Sequence, residues 1–226
     1  FSNSFYLKTV NDELVFVTNR PLQSPITINV DPTSNFDRTI RPWEPIQFEK
    51  GEIRIGTDAT IDLNDASCDH AESNMPSEAI PEFGGVARAV QSASFILRIV
   101  DTDQSVLDPN CLAHKGARDF ALCGLLPLRK STGEEQFHDA GLKVVGLGSG
   151  FTPSGDDMLG GFLVLYNSLA EAVHRVPIVF DFKLLEARTT WISAKLLDYM
   201  QRIIVDQQID TLIKTAAGGH NEDLVL

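Results

Sequence analysis

Seven of the chain's 16 glycines fall within the 21 residues from 141 to 161, and Gly146, Gly148 and Gly150 alternate just ahead of a Thr152-Pro153 pair. Threonine at the N-cap and proline at the first helical position are favoured, so a helix is expected to begin there. Alternating glycines before it permit positive φ and let a ligand come close to the main chain. Unpaired N–H groups and the positive dipole end at a helix start together favour an anion. Ser149, Thr152 and Ser154 add hydroxyl donors, so Gly148, Ser149, Gly150, Thr152, Ser154 and Gly155 form the expected anion-binding set. Phosphate, carboxylate or a carbamoyl oxygen would suit it.

The segment matches none of the widespread glycine motifs. Gly150 and Gly155 have P-loop spacing, but Asp156-Asp157 stand where Lys and Ser/Thr are needed. Ser154 lacks the flanking glycines of a nucleophile elbow, and Phe151 occupies the third glycine of a dinucleotide fingerprint. Asp156 and Asp157 are the expected catalytic carboxylates, as a general base, a holder of a substrate amine or a ligand for Mg²⁺. The competing reading is that they are first-turn acids meeting the helix dipole, with no chemistry.

Before this segment the pattern is that of strands. Residues 3–10, 13–19, 25–30, 45–48, 52–55 and 60–63 are short β-prone runs separated by Pro, Asn, Asp and Gly, with a two-residue turn expected at Asn11-Asp12. Spacing near ten residues predicts a small antiparallel barrel or sandwich. Residues 66–77 have no periodicity and read as a linker. Beyond them the period becomes helical, with helices expected over 81–100, 108–125, 132–145, 153–174, 182–205 and 207–215. The expected class is α+β, with a β subdomain at 1–66 and a helical domain carrying the glycine loop at 78–226.

The chain has 226 residues and a net charge of −12, which disfavours nonspecific binding to nucleic acid or anionic lipid. Nine acids against two bases between Glu49 and Glu82 supply seven of those charges, leaving a local anion site open elsewhere. The longest nearly apolar run, Met158–Tyr166, is about half a membrane span. No basic start followed by an apolar stretch opens the chain, so no signal peptide is expected. Cys68, Cys111 and Cys123 are too few and too odd in number for a disulfide framework, and a cytoplasmic setting with reduced thiols is expected. His114 lies three residues after Cys111 without a second half-site, so no metal centre is expected; His70, His138 and His174 read as surface residues.

Gly146-Leu-Gly-Ser-Gly-Phe-Thr-Pro-Ser-Gly-Asp-Asp157 resembles the signature Gly-Leu-Gly-Pro-Gly-Leu-Thr-Pro-Ser-Gly-Asp-Asp, with changes at Ser149 and Phe151. That signature marks a domain-of-unknown-function family that includes the AllH-type subunits of oxamate carbamoyltransferase in allantoin catabolism. Gly51–Gly56 with Ile61-Asp-Leu, the segment Arg188–Ser193, and Gly219-His220 are similar to further parts of the family. The second of these resembles a Thr-rich helix start. Asn221-Glu222-Asp223 depart from the Ser-Ser-Gly that follows the family's Gly-His. The resemblance implies a transferase site for a small anionic substrate, of the carbamoyl phosphate and oxamate or oxalurate class, and partner subunits. Arg188, Thr190 and His220 join the expected anion-binding residues, with hydroxyls of Thr189 and Ser193 nearby. The competing reading is that Arg188 is a snorkelling surface arginine and the threonines are ordinary helix-start residues. The alternative function is a noncatalytic scaffold or regulatory subunit binding a nucleotide or other small anion.

Overall fold

A computed structural model describes residues 3–67 (apart from 35, 37–39, 42–43 and 58), 130, 134–172 and 176–217. The expected linker beyond residue 67, the helices expected at 81–100 and 108–125, the three cysteines, and His70, His114, His174 and His220 lie outside the described residues. The chain divides into two compact units, Phe1–Glu72 and Ser73–Leu226.

The described residues of the first unit form six short strands: β1 (Ser4–Lys8), β2 (Leu14–Thr18), β3 (Thr27–Asn29), β4 (Ile46–Glu49), β5 (Glu52–Ile55) and β6 (Ala59–Asp62). They form two three-stranded sheets, ordered β1-β2-β3 and β4-β5-β6. β1 pairs antiparallel with β2, from Ser4 opposite Thr18 to Lys8 opposite Leu14. Their connection is longer than a two-residue turn: Thr9 N–H bonds the Glu13 carbonyl at 2.9 Å and Asp12 N–H the Thr9 carbonyl at 3.1 Å. Asp12, at φ 61°, takes the left-handed conformation that Asp tolerates. The tight turn falls instead between β4 and β5, where Lys50 (φ 40°) and Gly51 (φ 89°) both have positive φ, as a two-residue primed turn requires.

β3 runs parallel to β2, with Val17 opposite Ile28, so the sheets are not wholly antiparallel. Nor do they close into a barrel. Each gives one face to a shared cluster of Leu7, Val17, Ile53 and Ile55, sealed by Phe5, Val15, Ile28, Ile46 and Ile61. Alternation along each strand places these apolar residues on one face, and their burial drives the pairing.

The described residues of the second unit are helical: α1 (Glu134–Val144), α2 (Ser154–Ala172), α3 (Phe182–Glu186), α4 (Trp191–Gln201) and α5 (Gln207–Ala217). Its mixed partner makes the chain α+β. The main core joins Val144, Leu159, Leu163, Phe180, Leu185, Ala194 and Leu197, and a second cluster joins Val164, Val205 and Ile213. Gly160 brings α2 close to α4, since a Cβ there would stand 2.2 Å from the Met200 sulfur.

The single helix expected over 182–205 is two helices. Asp181 caps α3 by accepting from Lys183 N–H, and Thr190 caps α4 by accepting from Ser193 N–H. A continuous apolar face hid the break at Ala187–Thr190. α4 also ends four residues before Val205. Ile203, at φ 60°, occupies the left-handed position where glycine is usual, with Ile204 N–H bonding the Tyr199 carbonyl at 2.9 Å. His138 is half-buried rather than on the surface, its ring centroid 4.4 Å from that of Phe180.

Between α2 and α3 runs an extended strip with Ile178 and Phe180 buried and Val176 and Val179 exposed. Among the described residues no strand pairs with it; side-chain amides satisfy the backbone of Ile178 and Phe180. Asn167 of α2 accepts from Ile178 N–H at 2.8 Å and donates to the Ile178 carbonyl at 2.9 Å. Gln201 of α4 treats Phe180 the same way, at 2.8 and 3.2 Å. Buried main-chain polar groups need partners, and here two amides on two helices supply them.

Candidate functional site

The glycine-rich loop occupies 145–153, between α1 and α2. Gly146, Gly148 and Gly150 have φ of 78°, 117° and 106°, values that side chains rarely permit. Gly146 is confined as well: a Cβ there would lie 2.1 Å from the Arg188 carbonyl oxygen. Around Gly150 there is open space. Gly155 serves packing, because its N–H donates to the Leu147 carbonyl at 2.8 Å and a Cβ would meet the Val144 carbonyl at 2.2 Å. α2 opens at Ser154, with the Pro153 carbonyl accepting from Asp156 and Asp157, so the helix starts one residue later than expected.

The two adjacent carboxylates have opposite environments. Asp156 is 2% exposed. Its Oδ1 accepts from Gly146 N–H at 2.7 Å; its Oδ2 accepts from Ser193 Oγ at 2.6 Å and from Thr189 Oγ1. It thereby ties the start of the loop to the start of α4. Asp157 is exposed, and its carboxyl is pushed above the ordinary 3.8 by partial desolvation and by the charge of Asp156. Two neighbouring acids thus have separate fates: one is buried and fully engaged, the other faces solvent.

α4 holds the loop at a second point. Thr190 Oγ1 donates to the Phe151 carbonyl at 2.9 Å while accepting from Ser193 N–H at 3.1 Å. The loop is therefore fastened at Gly146, Leu147 and Phe151. Gly148, Ser149 and Gly150 span the interval between them and are exposed. Thr152 is half-buried and Ser154 exposed.

Of the expected site residues, the structure brings Gly148, Ser149, Gly150, Thr152, Ser154, Gly155, Asp156 and Asp157 into one loop and helix start, with Thr190 bonded to the loop. Arg188 lies in the turn between α3 and α4, exposed, with its carbonyl against Gly146. His220 lies outside the described residues. Thr189 and Ser193, expected as hydroxyls for a ligand, are directed at Asp156 instead. Lys195 gave no signal in the sequence; it is buried on α4, its Nζ 4.7 Å from the Phe182 ring centroid. Among the described residues no group of three or more His, Cys, Asp or Glu side chains converges as a metal site. No helix among them is long and apolar enough to cross a membrane.

No curated protein and no solved structure matches the chain. Residues 144–225, which begin at the end of α1 and take in the loop and α2 to α5, match the family model described as oxamate carbamoyltransferase subunit AllH, and over that segment the chain resembles this family.

Proposed function

We propose that the chain is a subunit of a carbamoyltransferase-like enzyme that binds a small anionic substrate at Gly148–Ser154. The observation that carries this reading is the loop itself. It is fastened at both ends, presents Gly148, Ser149 and Gly150 to solvent, stands beside exposed Asp157, and lies within the segment similar to the AllH subunit family. Exposed main-chain N–H groups next to a helix start favour a phosphate or carboxylate. Ser149, Thr152 and Ser154 offer hydroxyls, and the exposed Arg188 guanidinium suits a bidentate anion.

In this reading the substrates are carbamoyl phosphate and oxamate. The oxamate nitrogen attacks the carbamoyl carbon, the C–N bond forms, the C–O bond to phosphate breaks, and inorganic phosphate leaves. Asp157 takes the proton released by the nitrogen; a raised carboxyl pKa suits a base. Asp156 is unsuited to that step, because both its oxygens are already engaged. The name of the similar family implies partner chains, so turnover belongs to the assembled complex.

Thermal unfolding of the chain with carbamoyl phosphate, phosphate, oxamate and ADP tests the reading. A ligand at 100 times its Kd stabilises by about 2.7 kcal/mol. Stabilisation by carbamoyl phosphate and phosphate is expected. Stabilisation by ADP alone would favour the regulatory-subunit alternative, and no response to any of the four would end the anion-site reading for the isolated chain.

A further inference from the structure

We propose that Thr189 and Ser193 are positioning residues for the Gly148–Gly150 loop, acting through Asp156; the inference rests on the function proposed above. Asp156 is a buried carboxylate with no ion pair among the described residues. Its charge is balanced by one backbone N–H, two hydroxyls and the helix start. The division of labour between its oxygens is what matters. Oδ1 reaches Gly146, the residue that begins the loop; Oδ2 reaches only α4 and the residue before its cap. Loss of either hydroxyl leaves Oδ2 under-satisfied where water does not reach, and the carboxylate must shift to recover a partner. Any shift moves Oδ1 and with it Gly146.

The contact is tight on both sides. Gly146 has the Arg188 carbonyl where its Cβ would be, and Arg188 immediately precedes Thr189. Thr190 fastens Phe151 from the same turn of chain. The 188–193 segment is thus a template for the loop, and its hydroxyls set where the exposed residues Gly148–Gly150 sit. Affinity for an anion then depends on hydroxyls that never touch it, with Asp156 as the fixed acceptor of three hydrogen bonds between them and the loop.

Calorimetric titration with carbamoyl phosphate and amide hydrogen exchange at Gly146–Gly150 test this together. The variants are Thr189→Val, Ser193→Ala, their combination, and Thr189→Ser. The combined variant is expected to bind about tenfold or more weakly and to exchange the Gly146 amide faster. Thr189→Ser, which keeps the hydroxyl, is expected to behave as wild type in both. Val205→Ala, in the separate cluster under α5, is the stability control: its melting temperature falls but its affinity holds. Unchanged affinity together with unchanged Gly146 exchange in the combined variant overturns the proposal. Should it not fold, the two single variants decide by the same criteria. Should wild type itself fail to bind carbamoyl phosphate, the functional reading falls, and Gly146 exchange alone decides the positioning role: faster exchange upholds it and unchanged exchange overturns it.

Discussion

Gly146 and Asp156, ten positions apart, are joined by a 2.7 Å hydrogen bond that closes the glycine-rich segment into a ring of chain. At the same residue the backbone takes φ 78° and the Arg188 carbonyl stands where a side chain would begin.

Alanine at Gly146 therefore faces two penalties, a left-handed backbone and a collision with main chain. Together they amount to about 3 kcal/mol. At Gly150 the positive φ would strain an alanine but the space is open, so alanine there costs about 1–2 kcal/mol. Urea midpoints of the two variants check the order. Equal losses would show that the Arg188 contact has no consequence.

Gly155 and Gly160 both lie in α2, where alanine would ordinarily add about 1 kcal/mol of helix propensity. At Gly160 the obstacle is the Met200 sulfur, on a side chain that can swing aside. At Gly155 the obstacles are the Val144 and Leu147 carbonyls, which cannot. Gly155→Ala is expected to destabilise by about 2 kcal/mol or more, and Gly160→Ala by under about 1 kcal/mol. Thermal melts of the pair would refute this if Gly160→Ala proved the more damaging.

Asp157 gives a pH dependence of definite sign. Its folded pKa lies above the unfolded value of 3.8, so below that pH both states are protonated and nothing is lost. As pH rises, the unfolded chain ionises first and stability falls until the folded carboxyl has also titrated. Asp157→Asn removes this fall, so its melting temperature gains on wild type between pH 3 and pH 7. The gain is small because the side chain is exposed. Parallel curves at all pH values would contradict the shift. If Asp157 is the base, the same variant also loses carbamoyl transfer in the assembled enzyme while keeping its affinity for phosphate.

Asn167→Leu leaves the Ile178 N–H and carbonyl and the Gln201 carbonyl without the bonds they now have. Each stranded buried group costs about 1–3 kcal/mol, so a total near 3 kcal/mol or above is expected despite the added apolar surface. Chemical denaturation measures it, and a loss below about 1 kcal/mol would show that the amide is dispensable.

Strand positions were legible because alternation is local: Ile53 and Ile55 point inward on their face of β5 whatever β5 pairs with. The parallel pairing of β3 was not, since three residues carry no mark of direction. Gly146, Gly148 and Gly150 announced their backbone through residue type. Their fastenings did not, because Thr189 and Ser193 reach Asp156 across separations of 33 and 37 residues, and a hydroxyl has no pattern that names its acceptor. The break before α4 was marked by the threonines at 189 and 190, as helix-start residues and as the Thr-rich start in the family resemblance, against an apolar periodicity that ran straight through it. Capping won, as the Thr190 to Ser193 bond shows.

The strip at Ile178–Phe180 bears on the order in which the helical unit forms. Single helices close within microseconds, whereas the strip has no strand beside it among the described residues and depends on two amides, Asn167 and Gln201, that lie 34 residues apart on different helices. Ile178 acquires its bonds only when α2 is in place, and Phe180 only when α4 is. The exchange protection of these two amides during refolding is therefore a clock for the docking of α2 against α4, running inside the native sequence without any added label.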